Sequence, residues 1–219
     1  MIKGVIFDLD GVLIDSPRIY FLTMKDFLKK KGAEVPDKEI HNLIALSIKD
    51  EYLVIRNKYG IKADFEEFIE ETLMKSRDLM DSELQLTEGV VWLLANLKSR
   101  DYRIALASNN NASTVSYVMK KFGIGASFDA IVTAEEVKSG KPSPDVYEAA
   151  AGKLSLRPEQ CIGVEDSVIG MQAVKNAGMK CVVVPNEFTV DRPFDSADLI
   201  ISSLRELSHE KIIALGGMK

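Results

Sequence analysis

Cysteine is scarce in this sequence. Cys161 and Cys181 are the two in 219 residues, and each sits inside an apolar run. Two thiols make no disulfide framework in a chain of this size, and their surroundings predict buried strand residues. Long apolar runs are missing too: none approaches the roughly 20 residues that cross a bilayer. The N-terminus lacks a basic stretch followed by an apolar one and a cleavage site, so no secretory signal is expected and a cytoplasmic protein is the default. No internal repeat and no low-complexity stretch occurs. Nor is there an excess of basic charge. Lys and Arg number 28 against 33 Asp and Glu, a net charge of −5. That balance argues against a protein that tracks nucleic-acid phosphates. A small anionic ligand stays open, because a local field can oppose the global one. The remaining composition, 46% apolar and 28% charged, is that of an ordinary globular chain. Its length suffices for one sizeable core and a smaller inserted domain.

The chain is organised around residues 4–15. The apolar run Val5-Ile6-Phe7 is interrupted by Asp8 and Asp10, and Gly11 follows at once. A β-branched and aromatic run reads as a strand buried on both faces, the usual form in a parallel sheet. Aspartate is depleted in strands, so two of them here need a reason. In open α/β sheets the chemistry sits at the carboxyl ends of the strands. Two close carboxylates repel, and one takes up a proton unless a cation sits between them. An all-oxygen site of this kind suits Mg²⁺.

Residues 17–80 read as wholly helical. Asp15-Ser16-Pro17 starts a helix, a capping residue followed by proline in the first turn, that runs to about Lys31 and carries Tyr20, Phe21, Met24, Phe27 and Leu28. Pro36-Asp37 opens a second, with Ile40, Leu43, Ile44 and Leu46. A third covers 49–59, with Leu53, Val54 and Tyr59 as its apolar positions. A fourth starts at Asp64 and carries Phe65, Phe68, Ile69, Leu73, Met74 and Leu79. This block interrupts an α/β pattern and reads as an inserted cap spanning 16–81. The pattern resumes with a helix at 88–99 whose apolar positions include Val90, Val91, Leu93, Leu94 and Leu97, and in which Trp92 is expected to pack. Strands follow at 103–108, 128–132, 161–165, 181–185 and 199–201. Helices between them cover 113–122, the stretch up to Leu154, the stretch up to Ala177, and finally 203–215. The fold expected is a doubly wound parallel α/β sheet, Rossmann-like, built from 1–15 plus 82–219.

Three later stretches place polar groups where the sheet's crevice should lie. Ser108 ends a strand and opens a helix through Asn109-Asn110-Asn111, a ready anion site or a plain cap. Lys141 lies between Gly140 and Pro142, which hold its backbone and aim its ammonium; Lys138 is less constrained. Glu165-Asp166 closes a buried run and would crowd Asp8 and Asp10, a conflict that a metal resolves. Glu135-Glu136 ends no buried strand and reads as a solvated face. His41 and His209 read as helix surface residues. Together the set suits phosphoryl transfer, which is mostly positioning and charge neutralisation, with an aspartate able to carry the phosphoryl group.

These four stretches, Asp8-x-Asp10-Gly11, Ser108, Lys141-Pro142 and Glu165-Asp166-Ser167, resemble the haloacid dehalogenase superfamily of phosphotransferases. They come in that family's order, and the likeness spans nearly the whole chain. The helical insert after the first motif resembles the small cap of the β-phosphoglucomutase and phosphoglycolate phosphatase branch. The resemblance implies roles. Asp8 would be the nucleophile and a Mg²⁺ ligand. Asp10 would be the general acid and base, with its carbonyl on the metal. Ser108 and the N–H of Asn109 would hold the phosphoryl group, and Lys141 would bridge it to Asp8. Asp166 would complete the metal shell, with Glu165 a direct or water-mediated ligand. Mutases of this branch carry a His in the first cap helix, where this chain has Tyr20. They also carry an Arg in a cap loop, where it has Ile48; the cations Arg18 and Lys49 match neither position. Losing these groups favours hydrolysis of a small phosphorylated metabolite. A hexose-phosphate mutase and a catalytically silent binding module are the alternatives.

Overall fold

A computed structural model of the chain describes residues 1–43 and 48–217. It divides into two compact units, Met1–Ile14 with Leu86–Lys219, and Asp15–Gln85.

The chain enters through β1 (Gly4–Phe7), all four residues of which are buried. It then leaves for the helical unit: α1 (Ser16–Lys30), α2 (Asp37–Leu43), α3 (Ile48–Tyr59) and α4 (Phe65–Ser82). Asp15 occupies the N-cap position of α1 but makes no side-chain cap bond; Pro17 in the first turn starts the helix instead. Asp64 does cap α4, accepting from the N–H of Glu67 at 2.9 Å. The core of this unit is aromatic. Phe27 of α1 meets Phe68 of α4 edge to face, with ring centroids 5.2 Å apart, and Tyr52 of α3 lies 5.7 Å from Phe68. Lys31 ties the end of α1 to α4 by pairing with Glu67 and Glu71.

The expected apolar faces of α3 and α4 need correction. Helix α3 buries Tyr52 and Ile55 and leaves Leu53 exposed. In α4 Phe68 and Thr72 are buried, while Phe65, Leu73 and Met74 are exposed. The apolar residues outnumber what one helix face can bury, and the periodicity alone did not say which would lose. Ile44 and Leu46 lie outside the described residues. The helices leave a cavity of about 260 Å³, lined in part by Tyr20, Thr23, Ile48, Glu51 and Thr72. Burial pushes the Glu51 carboxyl up to about 7.

The second unit continues with α5 (Val90–Lys98), β2 (Arg103–Ala107), α6 (Ala112–Phe122), β3 (Ala130–Val132), α7 (Asp145–Lys153), β4 (Cys161–Glu165), α8 (Val168–Asn176), β5 (Lys180–Val183), β6 (Leu199–Ile200) and α9 (His209–Leu215). The strands form one parallel sheet in the order β3-β2-β1-β4-β5-β6. This is the doubly wound order, and it reverses direction between β1 and β4. Helix α5 buries Val90, Leu93, Leu94 and Leu97, a clean i, i+3, i+4, i+7 stripe. Val91 and Trp92 fall off that stripe and are exposed, against the expectation for both. The last helix is also shorter than expected. A 3₁₀ turn at Leu204–Glu206 precedes α9, and Ser208 caps α9 by accepting from the N–H of Lys211. Both cysteines are buried and free. Among the described residues, no helix is long and apolar enough to cross a membrane.

Candidate active site

Parallel register assembles the site. Phe7 of β1 is level with Leu106 of β2 and Val164 of β4. The next residues, Asp8 and Glu165, therefore stand side by side at the carboxyl end of the sheet, with Ser108 one step further along β2. Asp8 extends the ladder, its N–H donating to the carbonyl of Val164 at 3.0 Å. Ser108 does the same toward Val132 at 3.1 Å.

After Asp8 the chain folds back on itself. The N–H of Gly11 donates to the Ile14 carbonyl at 2.8 Å, and those of Leu13 and Ile14 both donate to Leu9. Gly11 has φ +73°, the left-handed region. A Cβ there would lie 2.0 Å from Oδ2 of Asp166. Glycine is therefore required twice over, by conformation and by the approach of the acid.

Lys141 reaches into this end of the sheet with its side chain 6% exposed. Its Nζ donates to Oδ1 of Asp8 at 2.6 Å and to Oε1 of Glu165 at 2.7 Å. Its backbone N–H donates to the side-chain carbonyl of Asn109 at 3.0 Å, and its peptide bond to Pro142 is cis. The loop after β2 thus holds the loop that carries the lysine. Burial pulls the ammonium of Lys141 down, but Asp8 and Glu165 more than offset this and leave it above its ordinary range.

Asp8, Glu165 and Asp166 are all buried and offer carboxylate oxygens within 4.8 Å of one another. Fully ionised, three carboxylates and one ammonium would leave two negative charges uncompensated in a dry place. Burial pushes Asp8 up to about 7; Lys141 opposes, and Glu165 and Asp10 push the same way. Asp166 is pushed well above the carboxylate range by burial and then by Glu165 and Asp8. Oxygen donors carrying surplus negative charge fit a hard divalent cation.

The carboxylates are not equivalent. Oε1 of Glu165 accepts from Lys141 and from the Tyr147 hydroxyl, and Oε2 accepts from the Ser167 hydroxyl at 3.3 Å. Asp166 has Oδ2 held by the Asn186 amide at 2.7 Å, and no bond of that kind engages Oδ1 among the described residues. The side chain of Asp10 stands outside the three-acid cluster, with Oδ2 accepting from the Asn110 amide. The Ser108 hydroxyl is buried and accepts from the N–H of Asn110 at 3.1 Å. Lys138 is exposed, and Glu136 pairs with Lys153 and closes a local turn on Thr133. His209 is bonded to the Tyr102 hydroxyl at 3.0 Å.

The family profile described as haloacid dehalogenase-like hydrolase matches residues 5–184, which covers most of the chain. The chain belongs to the haloacid dehalogenase-like hydrolases. Within that family it is similar to hexitol phosphatase B of Escherichia coli K12, 32% identical over 218 residues and covering 97% of each chain. It is 31% identical over 217 residues to β-phosphoglucomutase of Bacillus subtilis, covering 95% of this chain and 92% of that one. Its fold matches the crystal structure of CbbY from Rhodobacter sphaeroides in complex with phosphate, with a TM-score of 0.75, 26% identity, and coverage of 95% and 97%. These relatives place it on the β-phosphoglucomutase and CbbY branch of this hydrolase family, as a phosphatase-type enzyme.

Sequence reasoning missed three residues here: Asn110, Tyr147 and Asn186. Asn110 stood in a loop read only for its backbone. Asn186 follows Val183-Val184-Pro185 at the end of β5, and the strand-end rule applied to Asp8 would have found it too. Tyr147 gave no signal, since an aromatic inside a helical period reads as core.

Proposed function

We propose that the protein is a Mg²⁺-dependent phosphatase that hydrolyses a small phosphomonoester, of the sugar phosphate or phosphoglycolate kind, through a phosphorylated Asp8. One observation carries this reading: a buried cluster of acids in which a lysine is bonded to the first aspartate of the family motif. Asp8, Asp166 and the main-chain carbonyl of Asp10 would hold the cation, with Glu165 contributing directly or through a water. Bound there, Mg²⁺ would supply charge neutralisation for the transferring phosphoryl group and keep Asp8 ionised.

The chain's own groups do the rest. Asp8 attacks phosphorus, and the bond from phosphorus to the ester oxygen breaks. Asp10 gives its proton to that leaving oxygen. Asp10 then takes a proton from water, whose oxygen attacks phosphorus and releases inorganic phosphate from Asp8. The Asn110 amide donates to Oδ2 of Asp10 and helps to orient this carboxyl. Ser108 and the N–H of Asn109 hold phosphoryl oxygens, and Lys141 neutralises charge on them and on Asp8.

The family's mutase positions favour hydrolysis. Tyr20 and Ile48 line the cavity of the helical unit and carry no cation, while Arg18 is paired with Glu83 at 3.6 Å. The likeness to hexitol phosphatase B supports a phosphorylated sugar or sugar alcohol as substrate. The likeness to β-phosphoglucomutase keeps the mutase as the second reading. A panel of small phosphate esters, with and without Mg²⁺, tests the proposal. Phosphate release that needs Mg²⁺ and falls by more than about 1,000-fold in Asp8→Asn supports it. Parental hydrolysis by Asp8→Asn rejects the nucleophile. Conversion of β-glucose 1-phosphate with a bisphosphate primer into glucose 6-phosphate would decide for the mutase.

A further inference from the structure

Tyr147 belongs to none of the motifs, yet it touches the site at two points. It lies in α7, and its side chain is fully buried. Its hydroxyl donates to Oε1 of Glu165 at 2.6 Å, the same oxygen that accepts from Lys141 at 2.7 Å. The Lys141 ammonium also stands 5.0 Å from the centre of the Tyr147 ring, within cation–π range. The phenol therefore meets the lysine through a shared oxygen and through its ring face.

A phenylalanine would fill the same volume without bringing a hydroxyl into a dry interior. Burying a hydroxyl is unfavourable unless it is bonded, so the atom that needs explaining is the oxygen. Among the described residues that oxygen is bonded to Glu165 alone. Glu165 is restrained from the other side as well. Ser167 donates to Oε2, and Gly170 leaves the space the carboxylate fills: a Cβ there would lie 2.0 Å from Oε2. A carboxylate held by a phenol, a hydroxyl and an ammonium has little freedom left. The ammonium it holds is the one bonded to Asp8.

We infer that Tyr147 is a positioning residue for phosphoryl transfer: its hydroxyl fixes Glu165, and Glu165 with the Tyr147 ring fixes Lys141 against Oδ1 of Asp8. This rests on the phosphatase reading above. Without the hydroxyl, Glu165 can rotate about its last torsion, and Lys141 follows it away from the attacking carboxylate. Removing an orienting partner of this kind typically lowers activity 10- to 100-fold.

The test uses the full-length enzyme with p-nitrophenyl phosphate and Mg²⁺. Tyr147→Phe should lower kcat by about 10-fold. KM should stay within about twofold, as should the Mg²⁺ dissociation constant measured calorimetrically with the metal alone. In a Glu165→Gln background the same change should cost less than about twofold, because Tyr147 acts through Glu165. A parental kcat in Tyr147→Phe overturns the inference, and so do losses that multiply in the double variant. If Tyr147→Phe does not fold, Glu165→Gln alone decides: a kcat loss with KM and the Mg²⁺ dissociation constant both preserved supports the relay, and a parental kcat, or a loss that tracks weakened Mg²⁺ binding, overturns it. A parental enzyme that hydrolyses no ester in the panel would sink the phosphatase reading itself, and this relay with it.

Discussion

Gly11 and Asn186 act on the same carboxylate from opposite requirements. Gly11 makes room for Asp166, and Asn186 holds it. Gly11→Ala puts a methyl group where Oδ2 now lies, at a residue with φ +73°. The left-handed conformation alone costs about 1 kcal/mol for alanine, and displacement of the acid adds to it. Both stability in urea and Mg²⁺ affinity should fall; an unchanged midpoint and isotherm would contradict the close approach. Asn186→Ala removes the amide that lowers the proton affinity of Asp166. Its Mg²⁺ affinity should drop about 10- to 100-fold, with stability little changed, as read by calorimetry.

Secondary structure explains why so much of this site could be read in advance. A buried parallel strand is a continuous apolar run, and it ends where the run ends, so Asp8, Ser108 and Glu165 announced themselves as strand ends. The sheet order then brings those ends together. The same logic fails for helices. An amphipathic pattern says that a face is buried but not which of several apolar residues wins, and Leu53, Leu73 and Met74 lost. It also cannot distinguish a tyrosine packed in a core from one whose hydroxyl reaches a carboxylate, as Tyr147 does. Within the helical unit, Phe68 is the hub of the aromatic cluster of α1, α3 and α4. Phe68→Ala should destabilise this unit by about 3–5 kcal/mol, checked by denaturant unfolding. Glu51 offers a sign test. Its pKa is raised from the ordinary carboxylate range to about 7, so the folded state binds its proton more tightly than the unfolded chain does. Its contribution is favourable below that window and is lost as pH rises through it. Glu51→Gln should therefore raise the melting temperature at pH 8 relative to the parent, and do so less at pH 5.

For the molecule as a whole, the three-acid cluster sets a pH dependence of the same sign. Asp8, raised to about 7, and Asp166, raised further, both favour the protonated form when no cation is bound. Lys141 is raised above an already high value and stays charged throughout, so it adds no slope near neutrality. The metal-free protein should lose stability as pH rises from about 5 to 8. Mg²⁺ needs the acids ionised, so its stabilising effect should grow over the same interval. Melting curves with chelator and with Mg²⁺ at several pH values check both slopes; a metal effect that shrinks toward pH 8 would contradict the placement of the cation among these acids. What most directly decides the chemistry is the covalent step. The enzyme is acid-quenched during turnover of a phosphate ester, the acyl phosphate is reduced with borohydride, and the peptides are sequenced by mass spectrometry. Homoserine at position 8, absent without substrate, is the predicted result. Sustained turnover with position 8 unmodified, or with the label on another residue, would contradict it.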